Sequence, residues 1–342
     1  MASHWFIVPS PDGPPSGGTL YNRELLRGLG SLGFPAQRLA LPAAAGVLQA
    51  GVPGVYWVDT LYLQEFESLW RANQRRWPLG LLAHYLPSLV DKGDALQAAD
   101  LSAEERFALH HCDVLLTCSQ YMRQTLARLG ASAPNLVIEP GCLTQGKAET
   151  LPDAAGVRAL IVANLTPGKG VAPFLTALAG DLRDSDAFQL EIVGSFEADP
   201  AYASSCVDAA QRYPALARRV TFSGSLSPEK VSERLLRSNL LISASRMESF
   251  GMAVAEARTA GVPVVALARG NLSELVAPEA GGVLLPDDQA LARACLNFAR
   301  DHSLLAGAVA LARSRPRPAR SFDDASRELV SGVSGLGLLG PE

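Results

Sequence analysis

The chain has 342 residues, enough for two domains with a core each, and carries 48% apolar residues, 19% charged residues and a formal charge of −4. The acidic balance speaks against nucleic acid as a general partner. No apolar run approaches a membrane span, and Met1-Ala-Ser-His-Trp5 lacks the basic start of a signal peptide, so a cytoplasmic location is expected. Five cysteines, Cys112, Cys118, Cys142, Cys206 and Cys295, are scattered with no Cys-x2-Cys pair, which points to reduced thiols rather than a disulfide frame or a zinc site.

Short apolar runs alternate with helical patterns, as in parallel sheets wrapped by helices. The first half offers strands at Trp5–Pro9, Val55–Asp59, Leu81–Tyr85, Val114–Cys118 and Leu136–Pro140, with amphipathic stretches at Tyr21–Leu32 and Ala103–His111 between them. After the first strand comes Pro9-Ser-Pro-Asp-Gly-Pro-Pro-Ser-Gly17-Gly18-Thr19, whose glycines let backbone approach a ligand and open a helix onto phosphate. It is neither Gly-x-Gly-x-x-Gly nor a Walker motif, so the usual dinucleotide and ATP fingerprints are absent. Ala40–Ala50 reads as a loop. Trp70-Arg-Ala-Asn-Gln-Arg-Arg-Trp77 is basic and aromatic; it could touch an anionic lipid surface or an acidic acceptor, but a snorkelling surface helix is favoured. His84 ends a strand and opens into a loop holding Asp91, which places its ring for a cleft, although a satisfied structural histidine reads equally well there; His110 and His111 read as structural, His4 and His302 as peripheral.

Thr144–Gly156 is the best linker. Beyond it lie strands at Ala159–Asn164, Leu190–Gly194, Val220–Gly224, Leu240–Ala244, Val262–Ala266 and Gly282–Leu285. Asn164-Leu-Thr-Pro-Gly-Lys169-Gly follows the first of these; Lys169 can offset the charge of a departing diphosphate there, although a loop lysine is more often merely solvated. Gly194 and Ser195, then Gly224 and Ser225, close the next two. The fourth strand leads into Glu248-Ser-Phe-Gly-Met-Ala-Val-Ala-Glu256, two carboxylates with seven residues between them. Its Phe250-Gly251 turn opens a helix from Met252 whose unpaired first amides would stabilise an anionic diphosphate. One of the two carboxylates could then take sugar hydroxyls and the other ribose hydroxyls. Acids early in a helix are favoured without any ligand, so the spacing alone leaves both readings open.

The string resembles the Glu-x7-Glu signature of retaining family-4 glycosyltransferases, and other pieces recur in that family's order. Gly17-Gly18 resembles its Gly-Gly loop facing donor diphosphate and acceptor. Asn164 to Gly170 resembles its Gly-Arg-Leu-x-Pro-x-Lys-Gly loop, with Asn164 where an arginine is common and Arg246 as a substitute cation. Gly270-Asn-Leu-Ser-Glu274 resembles its Gly-x-x-x-Glu element, and Ser321-Phe322-Asp323-Asp324 the start of its terminal helix, with Phe322 in place of tryptophan.

The resemblance implies an α/β chain of GT-B architecture: two Rossmann-like, doubly wound domains facing across a cleft. Residues 1–150 would be the acceptor domain, 151–317 the nucleotide-sugar domain and 318–342 a helix returning to the first. It implies a metal-independent, retaining hexosyl transfer from a nucleotide-sugar, UDP before GDP, to a small cytosolic acceptor, with no separate cofactor. Lys169 and the amides after Phe250 would meet the diphosphate, Ser249, Gly251 and Met252 supplying that turn. Glu256 would meet ribose, Glu248 the donor sugar, His84 sugar or acceptor, and Gly194 and Ser225 the base. The alternatives are an epimerase or phosphorylase on the same fold and a non-catalytic nucleotide-sugar-binding protein.

Overall fold

The computed structural model describes residues 3–10, 16–149 and 156–339, so residues 11–15 of the first glycine-rich turn and 150–155 of the expected linker lie outside the described residues. The chain divides into two compact units, Met1–Gly141 with Arg320–Glu342 and Cys142–Ala319.

The first unit is built on six parallel strands, β1 (His4–Ile7), β2 (Ala36–Leu39), β3 (Val55–Asp59), β4 (Leu79–Ala83), β5 (Val114–Thr117) and β6 (Asn135–Val137), in the order β2-β1-β3-β4-β5-β6. Every residue of β3, β4 and β5 is buried, as expected of central strands covered on both faces. β2, Ala-Gln-Arg-Leu, has no signature in the sequence because it is an edge strand with two exposed polar residues and no apolar run. Ala40–Ala50 is a helix over Leu41–Gln49 rather than a loop, since Ala44 and Leu48 stand one turn apart and are both buried. The basic, aromatic segment is only half helical. Its helix, Leu63–Asn73, ends on Gln74 and Arg75, both left-handed, and the Arg75 guanidinium lies 5.2 Å from the Trp70 ring centre. Asp91 belongs to the short helix Pro87–Lys92.

His4 is not peripheral. It is 1% exposed in β1, and its Nδ1 accepts from Trp57 Nε1 at 3.1 Å. The helix Phe322–Gly335, opened by a Ser321/Asp324 capping box, packs in this unit with Phe322, Ala325, Leu329 and Val333 buried.

The second unit holds β7 (Val157–Val162), β8 (Phe188–Val193), β9 (Val220–Gly224), β10 (Leu240–Ser243), β11 (Val264–Leu267) and β12 (Val283–Leu285), all parallel in the order β12-β11-β10-β7-β8-β9. The chain runs outward from β7 to β9, returns to β10 beside β7, and runs outward again to β12. Strand order therefore reverses between β7 and β10, where sheets of this kind bind ligands beyond the strands' carboxyl ends. In the first unit the reversal lies between β1 and β3.

The helices Val171–Asp181 and Asp288–Arg300 bury Phe174, Leu175 and Leu178 with Leu291, Cys295 and Leu296 in the second unit's core. The segment just after Gly141 packs with this unit: Ala148 N–H donates to Ala260 O at 2.9 Å and Glu149 N–H to Leu236 O at 2.8 Å. Among the described residues no helix is long and apolar enough to cross a membrane.

Candidate active site

In the second unit the candidate residues gather beyond β7 and β10. The loop after β7 passes through a short helical turn, Pro167–Lys169, to Gly170, which is left-handed (φ +64°) and heads the helix Val171–Asp181 with no side-chain cap. The loop after β10 ends on Gly251, also left-handed (φ +93°), which heads the helix Met252–Ala260, again with no side-chain cap. The other helices of the unit longer than one turn start on a capping carboxylate or hydroxyl, Asp199, Ser227, Asp287 or Asp301. The two helices beside the strand-order reversal thus have no capping side chain at their first position, although Ala172 N–H of the first donates to the Tyr202 hydroxyl at 3.2 Å; their remaining free amides suit an anion.

The two loops are fastened together. Arg246 N–H donates to Gly168 O at 2.8 Å, and the Gly170 backbone lies so close to Ala244 that an added Cβ would come 2.2 Å from its carbonyl oxygen. Lys169 Nζ donates to Glu248 Oε1 at 2.5 Å, with the two side chains 32% and 18% exposed. Both reach water, so an arriving ligand can exchange with either. Arg246, read as a substitute cation, is engaged with Asp288 Oδ2 at 2.8 Å.

A third segment supports the turn. Asn271 N–H donates to Glu248 O at 2.9 Å, and Asn271 Nδ2 to Phe250 O at 2.7 Å, so the Gly270-Asn271 loop clamps the backbone on both sides of Ser249. The Phe250 ring is buried beneath the Arg317 guanidinium, 5.7 Å from its centre.

Glu256 is 8% exposed. Its carboxylate accepts from Thr144 Oγ1 at 2.7 Å and from Leu143 N–H at 3.4 Å. Burial raises its pKa, and those two donors pull it partly back.

Asn164 does not stand in for a cation. Its Oδ1 accepts from Ser195 N–H at 2.9 Å, while Leu165 N–H donates to Ser195 O at 3.0 Å, which joins the loops after β7 and β8. Gly194 N–H donates to Gly224 O at 3.0 Å, and Ser225 lies exposed just beyond.

The first unit holds the remaining candidates. Gly17 and Gly18 are the opening residues of the helix Gly17–Ser31 rather than a loop, and Ser16 caps it by accepting from Thr19 N–H at 3.1 Å. His84, directly after β4, has its ring against Gly18, where an added Cβ would be 3.4 Å from Cδ2, and edge-on to Tyr21, whose ring centre is 5.1 Å away. Its Nε2 is 2.8 Å from Asn22 Oδ1, and Asn22 Nδ2 donates to Asp59 Oδ2 at 2.8 Å. Asn22 and Asp59 are buried, at 5% and 0% exposure. Burial lowers the His84 pKa, offset in part by Asp59, which leaves the ring neutral at neutral pH.

Four supports of the candidate residues do not stand out in the sequence: Asn22, Asp59, Thr144 and Asn271. Asp59 carries a readable signal, a carboxylate at the end of the apolar strand Val55-Tyr-Trp-Val-Asp59, the same kind of position that singles out His84. Asn22 carries a weaker one, a polar residue in the apolar stripe of Tyr21, Leu25 and Leu29.

Two parallel six-stranded sheets with their helices match the GT-B fold of solved glycosyltransferase structures. Residues 156–301 match the family model described as "Glycosyl transferases group 1". Among curated proteins the chain is 26% identical over 306 residues to the D-inositol 3-phosphate glycosyltransferase of Segniliparus rotundus, covering 81% of this chain and 67% of that one. It is 29% identical over 311 residues to the protein of the same name from Geodermatophilus obscurus, covering 82% and 68%. Among solved structures, sucrose-phosphate synthase from Thermosynechococcus elongatus superposes with a TM-score of 0.79 at 19% identity, covering 99% of this chain and 100% of that one. Anabaena HepE in complex with UDP-glucose superposes with a TM-score of 0.74 at 19% identity, covering 98% and 100%.

Proposed function

We propose that this protein is a retaining glycosyltransferase that moves a sugar from a nucleotide-sugar, a UDP-sugar before a GDP-sugar, to a small hydroxylated acceptor. The observation that carries the reading is the pair of uncapped, glycine-headed helices beside the strand-order reversal of the second unit, with Lys169 and Glu248 between them. A diphosphate placed there meets backbone amides of the helix from Met252 and the Lys169 ammonium. Charge developing on it as the sugar departs is then offset by groups already in position, with no metal called for. Glu248, freed from Lys169, takes donor-sugar hydroxyls, and Glu256 takes the ribose. Gly194 and Ser225 border the base. The first unit, with His84, serves the acceptor and the transferred sugar. Retention follows if the leaving diphosphate accepts the acceptor's proton on the face it departs from. The names of the curated relatives, inositol phosphate glycosyltransferases, and the UDP-glucose complex of HepE support this donor class and a polyhydroxylated acceptor.

Calorimetric titration with UDP, GDP, UDP-glucose, UDP-N-acetylglucosamine and GDP-mannose in EDTA tests it. Binding of one nucleotide family, weakened in Glu256→Ala, is the expected result. No binding by any of them would defeat the reading, and binding followed by neither transfer nor donor hydrolysis would leave a nucleotide-sugar-binding protein.

A further inference from the structure

We propose that Asp59 and Asn22 form a positioning pair that holds the His84 ring as the Nε2–H tautomer, leaving Nδ1 as the acceptor for a substrate hydroxyl. The role in substrate positioning rests on the transferase reading; the tautomer does not.

Donors and acceptors along this chain of three residues can be arranged in one order only. Asp59 is fully buried at the end of β3, and both of its oxygens are occupied: Oδ1 accepts from Leu61 N–H at 2.9 Å and Oδ2 from Asn22 Nδ2 at 2.8 Å. A carboxylate only accepts, so the Asn22 amide must turn its NH2 group to Asp59. That leaves Asn22 Oδ1, an acceptor with no proton, 2.8 Å from His84 Nε2. A neutral imidazole has one N–H, and here it must stand on Nε2. Asp59 Oδ2 itself is 3.6 Å from Nε2, beyond hydrogen-bond distance, so the carboxylate acts on the ring through Asn22. Among the described residues no hydrogen bond reaches Nδ1. The ring cannot turn over to exchange its nitrogens cheaply, because Gly18 backs one side and the Tyr21 ring meets it edge-on, itself fixed by donating from its hydroxyl to Ile138 O at 2.9 Å.

All three residues lie at the carboxyl side of the first unit's strands, Asn22 in the helix after β1, Asp59 ending β3 and His84 following β4, around that unit's own strand-order reversal. A buried polar chain of this kind is costly unless every member is satisfied. Its one unfilled acceptor is then a binding feature for a hydroxyl, and its chemistry selects a donor of hydrogen bonds over an anion.

The test is nitrogen-15 NMR of the histidine rings in the full chain, with the His84 signals assigned by their loss in His84→Gln. The expected wild-type spectrum shows a protonated Nε2 and an unprotonated Nδ1 at neutral pH. Asp59→Asn should reverse this. The side-chain amide introduced there would keep its oxygen toward Leu61 N–H and present an N–H to Asn22, which then turns its own NH2 group to His84 and drives the ring proton to Nδ1. The same variant should lose about tenfold or more in kcat for transfer with donor affinity unchanged. A wild-type ring protonated on Nδ1, or present as a mixture of tautomers, overturns the proposal whether or not Asp59→Asn folds. A His84 ring that keeps its proton on Nε2 in Asp59→Asn also overturns it. If the wild-type protein transfers sugar but carries the other tautomer, this proposal fails and the transferase reading stands. If it carries the expected tautomer but binds no nucleotide-sugar, the tautomer assignment holds and the transferase reading falls.

Discussion

Lys169 Nζ lies 2.5 Å from Glu248 Oε1, so the cation after β7 and the carboxylate after β10 neutralise each other across the junction of two adjacent strands. The pair is partly exposed and contributes little to stability. Its consequence is poise: both groups are held beside the uncapped helix ends without being committed to a buried network.

Separate roles for Lys169 and Glu256 follow. Lys169→Ala should cut the rate of transfer by about 10²–10³, the loss typical of removing one group that stabilises developing charge, while changing donor affinity by less than about tenfold. Glu256→Ala should instead weaken UDP binding by about ten- to a hundredfold, since a buried carboxylate's hydrogen bonds to ligand hydroxyls are lost. Steady-state kinetics and calorimetry on both variants separate the two, and equal losses of binding would contradict the assignment.

The turn between Glu248 and Gly251 depends on a neighbouring loop. Gly270 is left-handed at φ +55°, and an added Cβ would stand 2.5 Å from Glu248 O. Gly270→Ala should therefore cost about 1–3 kcal/mol in backbone strain alone and displace the Glu248 backbone. We expect a lower melting temperature together with reduced transfer; a variant with wild-type melting and wild-type kinetics would show that the loop does not shape the site. Asn271→Ala tests the same clamp from its polar side, because Phe250 O would lose the Nδ2–H that it accepts, at a cost of about 1–3 kcal/mol.

What is legible in the sequence is what is local. Buried central strands announce themselves as apolar runs, and Val55–Asp59 forms a strand over the residues its pattern marks. The edge strand Ala36–Leu39 does not, because half its residues face solvent, and Leu41–Gln49 hides its helix behind a proline and a glycine. In the same way Lys169, Glu248 and Glu256 are marked by short spacings next to glycine turns. The partners that decide their surroundings come from far along the chain: Thr144 meets Glu256 across 112 positions and Asn271 meets Phe250 across 21. Only packing brings such pairs together. Arg246 looks like a spare cation in the sequence for the same reason, since Asp288, which engages it, stands 42 positions away.

His4 gives the first unit an acid sensitivity. Burial lowers its pKa from 6.5 to about 4, with the backbone of Leu338 offsetting this in part. The unfolded chain then binds a proton between those values that the folded chain does not, so stability is complete above about pH 6.5 and falls as pH drops toward 4, by on the order of 3 kcal/mol in total. His4→Gln keeps an acceptor for Trp57 Nε1 and removes the titration. Denaturant unfolding from pH 7 to 4 should show the variant losing less stability than wild type over that range. Parallel curves would remove His4 as the cause.

Thr144 tunes Glu256. Its hydroxyl, 5% exposed as a residue, donates to Oε2 at 2.7 Å and opposes the upward pull of burial on the carboxyl's pKa. Thr144→Val preserves volume and removes that donor, so the Glu256 pKa should rise further above its usual value. If the ionised carboxylate is the form that holds the ribose, nucleotide affinity in wild type falls as pH drops through the Glu256 pKa. In Thr144→Val the same fall should begin at a higher pH, while affinity on the alkaline side stays near wild type. Calorimetric titrations of UDP at a series of pH values measure this shift. An acid limb unmoved by the substitution would mean that Glu256 is not the group titrating in nucleotide binding, and the ribose would have to be held elsewhere.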